Sequence, residues 1–373
     1  MDPQVSKVKE DGDILTFRLS GLNVCFANSI RRIIVAEIPT IVFKTMPYEK
    51  NTCTIFENTT KLNNEILKQR LSCIPIHISD LATPIDKLLL ELNVHNTSDT
   101  IQVVTTKDFK IKNKDTNTYL SDTDTRKIFP PYIGPGSSSE YYIDFVKLSP
   151  KISDNILGNK IHLECQFSIS NAKDDSMFNV VSVCSYGNTL DDKKIEEILR
   201  AKLIAWKDEG KTNEELNFET QNWKTLEAKR IFIPDSFDFM IQSLGVYENK
   251  DLVKKSCAIL EDKLIHFLDA LQNNDLKIVN SISTIENCYD ISVADEYFEI
   301  GGILKHVLYA DYYESDQKML TYIGFKKMHP HDDESLLRIA FDGEQHGHNT
   351  IINIIENSTK KIIKIFQKIS KLF

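Results

Sequence analysis

Two long amphipathic helices constrain the fold of this chain more than any other sequence feature. Apolar residues recur at alternating steps of four and three from about residue 250 to 271, and a second apolar stripe runs from about residue 350 to 373. Each stripe is wider than a small sheet covers, so the two helices are expected to pack against each other. The residues expected to carry this intramolecular pairing are Val253, Leu260, Leu264 and Phe267 in one helix and Ile355, Ile362, Ile365 and Ile369 in the other.

Each long helix ends a segment for which the same order of elements is predicted. Both segments run strand, short amphipathic helix, strands, long helix, and the short helices are predicted at 26–37 and 300–309. Alternating β patterns interrupt the first segment, and a chain of 373 residues exceeds what one core usually supports. The expected fold class is therefore α+β in tandem. The predicted domains are an N-terminal domain of residues 1–79 and 188–271, a β-rich insert of residues 80–187, and a C-terminal domain of residues 276–373.

Composition disfavours several functional classes. The net charge is −9, whereas a protein that grips a phosphate backbone by itself normally carries a basic excess, so little direct nucleic-acid contact is expected. The cysteines form no Cys-x-x-Cys pair, which favours buried free thiols over zinc or disulfide sites. No apolar run reaches the roughly 18–20 residues of a membrane-spanning helix, and the first residues lack the apolar core of a signal sequence. A soluble intracellular protein without a cofactor or membrane partner is expected.

A motif near the start of the sequence resembles the larger α-like subunit of archaeal and eukaryotic RNA polymerases. In that family an Asn-x-x-Arg-Arg helix followed by Glu-x-Pro opens the dimerisation domain. The matching residues here are Asn28, Arg31, Arg32, Glu37 and Pro39. The Arg-Leu-x-x-Ile-Pro ending of the family's next helix is kept in residues 70–75. Two separate signatures in the right order make the resemblance specific.

The C-terminal part is similar to the smaller α-like subunit of the same polymerases. Residues 300–305 stand for the family's Leu-Gly-Asn-x-Leu-Arg helix, with Gly302 in place of Asn and Lys305 in place of Arg. Residues 324–330 match its Gly-aromatic-x-x-x-His-Pro hairpin, and Arg338 its next strand. The resemblance implies a fusion of the third- and eleventh-subunit types as an intramolecular pseudo-dimer. Such fusions are familiar in large DNA viruses, which implies a viral polymerase in the virion and the host cytoplasm or nucleus.

The resemblance also implies a function and a set of partners. Subunits of this type are non-catalytic and form the platform on which the largest and second-largest polymerase subunits and small accessory subunits assemble for transcription. The implied partner interface comprises Asn28, Arg31, Arg32, Glu37 and Arg70, with the arginine pair meeting the second-largest subunit. Adjacent arginines are usually solvated. On a helix, however, they point about 100° apart, so one of them must approach the apolar side.

Histidine-rich segments near the C-terminus leave one alternative open, a metal-dependent enzyme. His329, His331 and Asp333, and further along His346 and His348, carry groups that bind divalent ions. The same residues also suit a hairpin turn and an exposed loop. Residues 80–160 contain no cysteine, so the four-cysteine zinc cluster that relatives of the larger subunit often carry is not expected. A glycine-rich phosphate loop and a Gly-x-Ser-x-Gly motif are also absent from the sequence, so no catalytic or metal residues are predicted.

Overall fold

Unit 1 of the fold contains both long helices, and unit 2 is a β-rich body that interrupts it along the chain. Unit 1 comprises residues 1–34, 183–242 and 249–373, and unit 2 comprises residues 35–182 and 243–248. The predicted α+β class is confirmed. The computed structural model describes residues 1–134, 136–153, 155–273, 275–294, 298–316, 318–329, 331–343 and 347–373.

Helices occur in both units. In chain order they are α1 (Val24–Ala36), α2 (Asn64–Ser72), α3 (Asp122–Ile128), α4 (Asp192–Asp208), α5 (Asn213–Thr225), α6 (Asn249–Gln272), α7 (Phe298–Leu308) and α8 (His348–Ser370). A π-helical turn at Tyr309–Tyr313 extends α7. Within the described ranges, no helix combines the length and the apolar character that crossing a membrane requires.

Antiparallel sheets make up most of the remaining regular structure. In chain order the strands are β1 (Gln4–Asp11), β2 (Ile14–Ser20), β3 (Thr40–Val42), β4 (Cys53–Asn58), β5 (Leu88–His95), β6 (Gln102–Thr105), β7 (Lys110–Asn113), β8 (Thr118–Tyr119), β9 (Tyr132–Ile133), β10 (Glu140–Tyr141), β11 (Asp144–Leu148), β12 (Lys160–Gln166), β13 (Ser168–Ser170), β14 (Val181–Leu190), β15 (Phe232–Ser243), β16 (Ile278–Asn280), β17 (Cys288–Ala294), β18 (Leu320–Lys327) and β19 (Glu334–Phe341).

Two sheets of unit 1 have the same order of elements. One has the strand order β1-β2-β15-β14 and the other has the order β16-β17-β19-β18. In each sheet the strand that leads into a short helix, β2 or β17, pairs with the strand that leads into a long helix, β15 or β19. The short helices are α1 and α7, and the long helices are α6 and α8.

The short helices bury the same positions along their length. When the first residue of α1 is aligned with the first residue of α7, every buried residue of α1 has a buried counterpart in α7. The pairs are Phe26 with Ile300, Ala27 with Gly301, Ser29 with Ile303, Ile30 with Leu304, Ile33 with Val307 and Ile34 with Leu308. The two helices therefore pack with the same face.

The long helices also share a pattern of buried positions. Buried side chains recur every three or four residues along both, some as adjacent pairs, as in helices that pack on other helices. The matching pairs are Val253 with Ile351, Ser256 with Ile354, Cys257 with Ile355, Leu260 with Ser358, Leu264 with Ile362, Phe267 with Ile365, Leu268 with Phe366 and Leu271 with Ile369. α6 packs directly against α8.

A bidentate arginine–aspartate pair joins the central strands of each of these sheets. Arg18 of β2 donates to Asp238 of β15 at 2.7 and 3.0 Å. Arg338 of β19 donates to Asp290 of β17 at 2.6 and 2.8 Å. The arginine hydrogen bonds lower the pKa of both carboxyl groups. The two sheets place the charges on opposite strands. The arginine lies on the strand before the short helix in one sheet and on the strand before the long helix in the other.

Unit 2 is organised around a sheet with the order β4-β12-β5-β7-β8. The sequence analysis placed the β-rich insert at residues 80–187, whereas unit 2 also takes in residues 35–79. The physical reason is strand pairing and burial. β4 pairs with β12 so that Cys53 faces Cys165, and Leu67 and Leu71 of α2 enter the same apolar core.

Two adjacent glycines in α7 give a matched test of its packing. A Cβ at Gly301 would overlap the ring of Phe325, whereas a Cβ at Gly302 would meet no atom within 4 Å. Gly301→Ala is expected to lower the melting temperature, because overpacking commonly costs about 1–3 kcal/mol. Gly302→Ala is expected to keep or raise it, since alanine favours a helix over glycine by about 1 kcal/mol. Calorimetry measures both variants, and equal melting temperatures would contradict the packing of α7 on Phe325.

Candidate subunit interface

A helix-to-helix interface lies within unit 1. We call residues 1–34, 183–242 and 249–272 the N-terminal subdomain and residues 276–373 the C-terminal subdomain. α6 ends the first and packs against α8, which ends the second. The residues predicted to carry the pairing are buried on these two helices: Val253, Leu260, Leu264, Phe267, Ile355, Ile362, Ile365 and Ile369.

Aromatic rings extend this contact beyond the long helices. The ring of Phe26 in α1 lies 5.7 Å from the ring of Phe366 in α8. Phe373 meets Phe17 of β2 in an edge-to-face arrangement with centroids 4.7 Å apart, and Phe17 stacks on Phe239 of β15 at 4.9 Å. Aromatic pairs favour both geometries. The interface thus joins the C-terminal end of the chain to the short helix and the sheet of the N-terminal subdomain.

Ion pairs occupy part of the lysine-rich side of α8. Lys361 donates to both carboxylate oxygens of Asp311 at 2.7 and 2.8 Å, and Lys368 pairs with Asp2. Exposed pairs of this kind contribute little to stability. They do lower the net positive charge that this side of the helix presents to a phosphate backbone.

A further ion pair joins the two short helices. Nε of Arg32 in α1 donates to the carboxylate of Glu299 in α7, and the Ser29 hydroxyl donates to the backbone oxygen of Glu299 at 2.8 Å. The Glu299 side chain is 6% exposed and the Arg32 side chain 40%. The sequence analysis assigned Arg32 to an external partner and did not single out Glu299. Because acidic residues are common in the first turn of a helix, the sequence offers no signal for this contact.

Asn28 and Arg31 lie together on α1. The side-chain oxygen of Asn28 accepts hydrogen bonds from Nε and Nη2 of Arg31 at 3.3 and 3.0 Å, and both residues are half-buried. Burial raises the pKa of the nearby Cys184 thiol to about 12 and also raises the pKa of Tyr186, although the Arg31 charge opposes both shifts. Arg31 is therefore a cation that a neutral amide holds in place beside groups that are neutral at pH 7.

The remaining residues of the predicted partner interface, Glu37 and Arg70, lie in unit 2. Glu37 is within 3.8 Å of Lys173, and its side chain is 12% exposed. Arg70 donates from Nε to the backbone oxygen of Phe145 and from Nη2 to that of Asp144, both at 2.7 Å. Arg70 thus links α2 to β11, a contact that the sequence motif does not reveal.

The described histidines do not gather into a metal-binding cluster. In the part of the chain that the structure describes, no group of three or more His, Cys, Asp or Glu side chains is arranged to hold a metal ion. The rings of His329 and His331 lie 5.1 Å apart between β18 and β19. Pro330 and His346 of the predicted motifs lie outside the described residues.

Comparison with known proteins identifies the family to which this chain belongs. Residues 16–264 match the RNA polymerase Rpb3/Rpb11 dimerisation domain. The chain belongs to this family. The Rpb3/Rpb11 match includes α1 with Asn28, Arg31 and Arg32, and it ends within α6. The C-terminal subdomain lies beyond the matched residues.

Several relatives of this chain are named as RNA polymerase subunits. DNA-directed RNA polymerase subunit Rpo3 of Pyrococcus horikoshii is 23% identical over 287 residues, which cover 72% of this chain and 98% of the relative. Rpo3 of Pyrococcus furiosus is 34% identical over 91 residues, 24% of this chain and 30% of the relative. RPAC1 of RNA polymerases I and III of Homo sapiens is 39% identical over 74 residues, 20% of this chain and 19% of the relative. The resemblance to an α-like polymerase subunit is confirmed.

The aromatic contact gives a direct test of the interface. Phe366→Ala is expected to lower the free energy of unfolding by about 3–5 kcal/mol, because the ring is fully buried and its removal leaves a cavity. Ile265→Ala on α6 is the control, since that side chain is 41% exposed, and a change below about 0.5 kcal/mol is expected. Urea denaturation followed by circular dichroism measures both. Similar losses for the two variants would contradict a role for Phe366 in the interface.

Proposed function

We propose that this chain is a non-catalytic assembly subunit of a DNA-directed RNA polymerase, in which the two subdomains are fused counterparts of the larger and smaller α-like subunits. The observation that carries the proposal is the repeated architecture of unit 1. Its sheets share one strand order, its short helices bury the same positions, and its long helices pack on each other. An arrangement of this kind supports an intramolecular pseudo-dimer.

The family match supports pairing as the purpose of the fold. The matched domain is described as a dimerisation domain, and several relatives are named as polymerase subunits. A dimerisation domain needs a complementary surface, and α8 supplies one to α6 within the same chain. In this proposal no separate smaller α-like chain is required.

The paired subdomains form a platform for larger partners. Asn28 holds Arg31 through Nε and Nη2, which leaves the far side of the guanidinium to bind a carboxylate or carbonyl group bidentately. By the resemblance, the partner at Arg31 is the second-largest polymerase subunit. Glu37 and Arg70 of unit 2 are proposed as partner contacts in their own right. The largest subunit and small accessory subunits bind elsewhere on the platform, and the catalytic groups belong to the large subunits.

The fusion also supports a proposal about origin. Separate chains usually supply the two α-like subunits, whereas fusions are familiar in large DNA viruses. We therefore propose that the polymerase is viral and is present in the virion and in the host cytoplasm or nucleus.

Charge reversal at Arg31 tests the platform. Arg31→Glu is expected to abolish co-purification with the second-largest subunit and to leave the melting temperature nearly unchanged, because removing one partner of an interfacial charge pair commonly costs about 2–5 kcal/mol of binding. The assay is affinity purification from cells that make the whole polymerase. Arg32→Glu is unsuitable because it would place two carboxylates together at Glu299.

The matched control is Arg200→Glu, at a position on α4 whose side chain is 80% exposed. This variant is expected to assemble normally. Normal assembly of Arg31→Glu would contradict the interface at Arg31. A wild-type chain that captures neither large subunit would contradict the platform itself.

Cutting the connection between the subdomains tests the pseudo-dimer. A protease recognition sequence inserted between Gln272 and Leu276 lets the chain fold intact before it is cleaved. The two pieces are expected to stay together as a 1:1 complex, because the packed helices hold them and the link only raises their effective concentration into roughly the millimolar range. Size-exclusion chromatography with light scattering measures the complex. Pieces that separate into stable monomers would rule out the pseudo-dimer.

A further inference from the structure

The short helices α1 and α7 place side chains together at two positions of the interface, which we call the first and second corners. The two corners are equivalent in the proposed pseudo-dimer but differ in chemistry. With the first residues of α1 and α7 aligned, Cys25 corresponds to Glu299 and Arg32 corresponds to His306. At the first corner Arg32 of α1 meets Glu299 of α7. At the second corner Cys25 of α1 and His306 of α7 line a groove of about 470 Å³.

The first corner encloses a buried carboxylate. Glu299 is 6% exposed at its side chain, accepts from Arg32, and accepts from the Ser29 hydroxyl at its backbone oxygen. Its place in the first turn of α7 adds the favourable potential of a helix N-terminus. Taking a carboxylate out of water is costly unless a cation and hydrogen bonds replace the water. Arg32 is the cation that the structure places there.

At the second corner the residues that correspond to Glu299 and Arg32 are Cys25 and His306, and Lys305 also lines this groove. Burial raises the pKa of the Cys25 thiol to about 12. Burial also lowers the pKa of His306 below its ordinary value, so its imidazole is mostly uncharged at pH 7. The residues at these equivalent positions therefore differ in charge, although the two helices share most of their buried positions.

Pairing of like subdomains would break the ion pair. If two N-terminal subdomains met in this geometry, each Arg32 would face Cys25. If two C-terminal subdomains met, each Glu299 would face His306, a titratable imidazole, in place of the permanently charged guanidinium of Arg32. In the first case Arg32 would lose its carboxylate, and in the second Glu299 would lose its permanent cation. The pairing of unlike subdomains brings Arg32 to Glu299.

We propose that the Arg32–Glu299 ion pair selects the unlike pairing, so that an N-terminal subdomain pairs with a C-terminal subdomain and not with a second copy of itself. This inference rests on the proposed pseudo-dimer. The apolar stripes of α6 and α8 are poorly suited to make the selection, because most of their buried positions coincide and apolar burial is non-directional. Specificity is a difference between affinities, and an unpaired buried charge penalises the wrong pairing.

Re-sorting of cleaved chains measures this selection. Two full-length variants, Arg32→Glu and Glu299→Arg, carry the protease sequence between Gln272 and Leu276, fold as intact chains and are then cleaved. Each variant has like charges at the first corner. The cleaved complexes are mixed in mild denaturant that allows the pieces to exchange. The piece with Arg32→Glu is expected to pair with the piece with Glu299→Arg, because this restores opposite charges. The two unsubstituted pieces are expected to pair with each other for the same reason.

Native mass spectrometry distinguishes the outcomes. Both re-sorted complexes have the wild-type mass, whereas one starting complex is lighter and the other is heavier. Complexes of wild-type mass are expected to exceed the starting complexes by about 100-fold, since stranding one member of a buried ion pair carries a large penalty. A statistical mixture of all pairings would overturn the proposal and leave the pseudo-dimer intact. If the pieces of the cleaved wild-type chain fall apart before mixing, the pseudo-dimer fails, and this inference fails with it.

Neutral substitutions in the intact chain give a second measurement should a charge reversal prevent folding. Arg32→Gln is expected to lower the melting temperature more than Glu299→Gln does, because it leaves a buried carboxylate without its cation. The double variant is expected to melt at or above the temperature of Arg32→Gln alone, because it contains no such carboxylate. Reductions in melting temperature that simply add would overturn the proposal.

Discussion

The packing of α6 on α8 is the contact on which the rest of unit 1 depends. A small sheet covers one side of a helix, but the buried positions of α6 and α8 form stripes along nearly the whole of each helix. Burying both stripes together requires the helices to lie against each other. That arrangement accompanies the contacts of Phe26 with Phe366 and of Arg32 with Glu299, which join residues far apart in sequence. The contacts that α1 makes with α7 and α8 therefore depend on the packing of α6 against α8.

Apolar and charged contacts contribute differently to this architecture. Burial of aliphatic side chains stabilises by about 25 cal/mol per Å² of surface removed from water, yet it does not depend on direction. Charged pairs depend strongly on position. Arg18 with Asp238, and Arg338 with Asp290, lie directly across neighbouring strands. A slip of one residue would separate each pair and also turn the apolar residues out of the core, so both kinds of contact favour the same register.

Apolar stripes allowed the long helices and their packing on each other to be predicted from the sequence, whereas strand pairing and polar side-chain contacts between distant segments could not be predicted. The apolar stripe of α6, which contains Leu260, and that of α8, which contains Ile362, each follow from the residue spacing within that helix. The extent of unit 2 depends on β4 pairing with β12, and no local pattern specifies that partner. The contact of Glu299 was not predicted, because acidic residues are common in the first turn of a helix and nothing in the neighbouring sequence sets this one apart. Arg70 donates to backbone oxygens, which every residue carries, so its acceptors leave no trace in the sequence.

The two halves of the proposed platform present different side chains at equivalent positions, so its two faces are not alike. Asn28 and Arg31 of α1 correspond in the helix alignment to Gly302 and Lys305 of α7. On α1 an amide holds a guanidinium, which suits bidentate binding of a carboxylate. On α7 the glycine has no side chain to hold the lysine, whose compact charge on a flexible stem binds with less directional preference. A symmetric homodimer would present the same face twice. In the proposed pseudo-dimer, related but unequal halves present two unlike faces to partners from one chain.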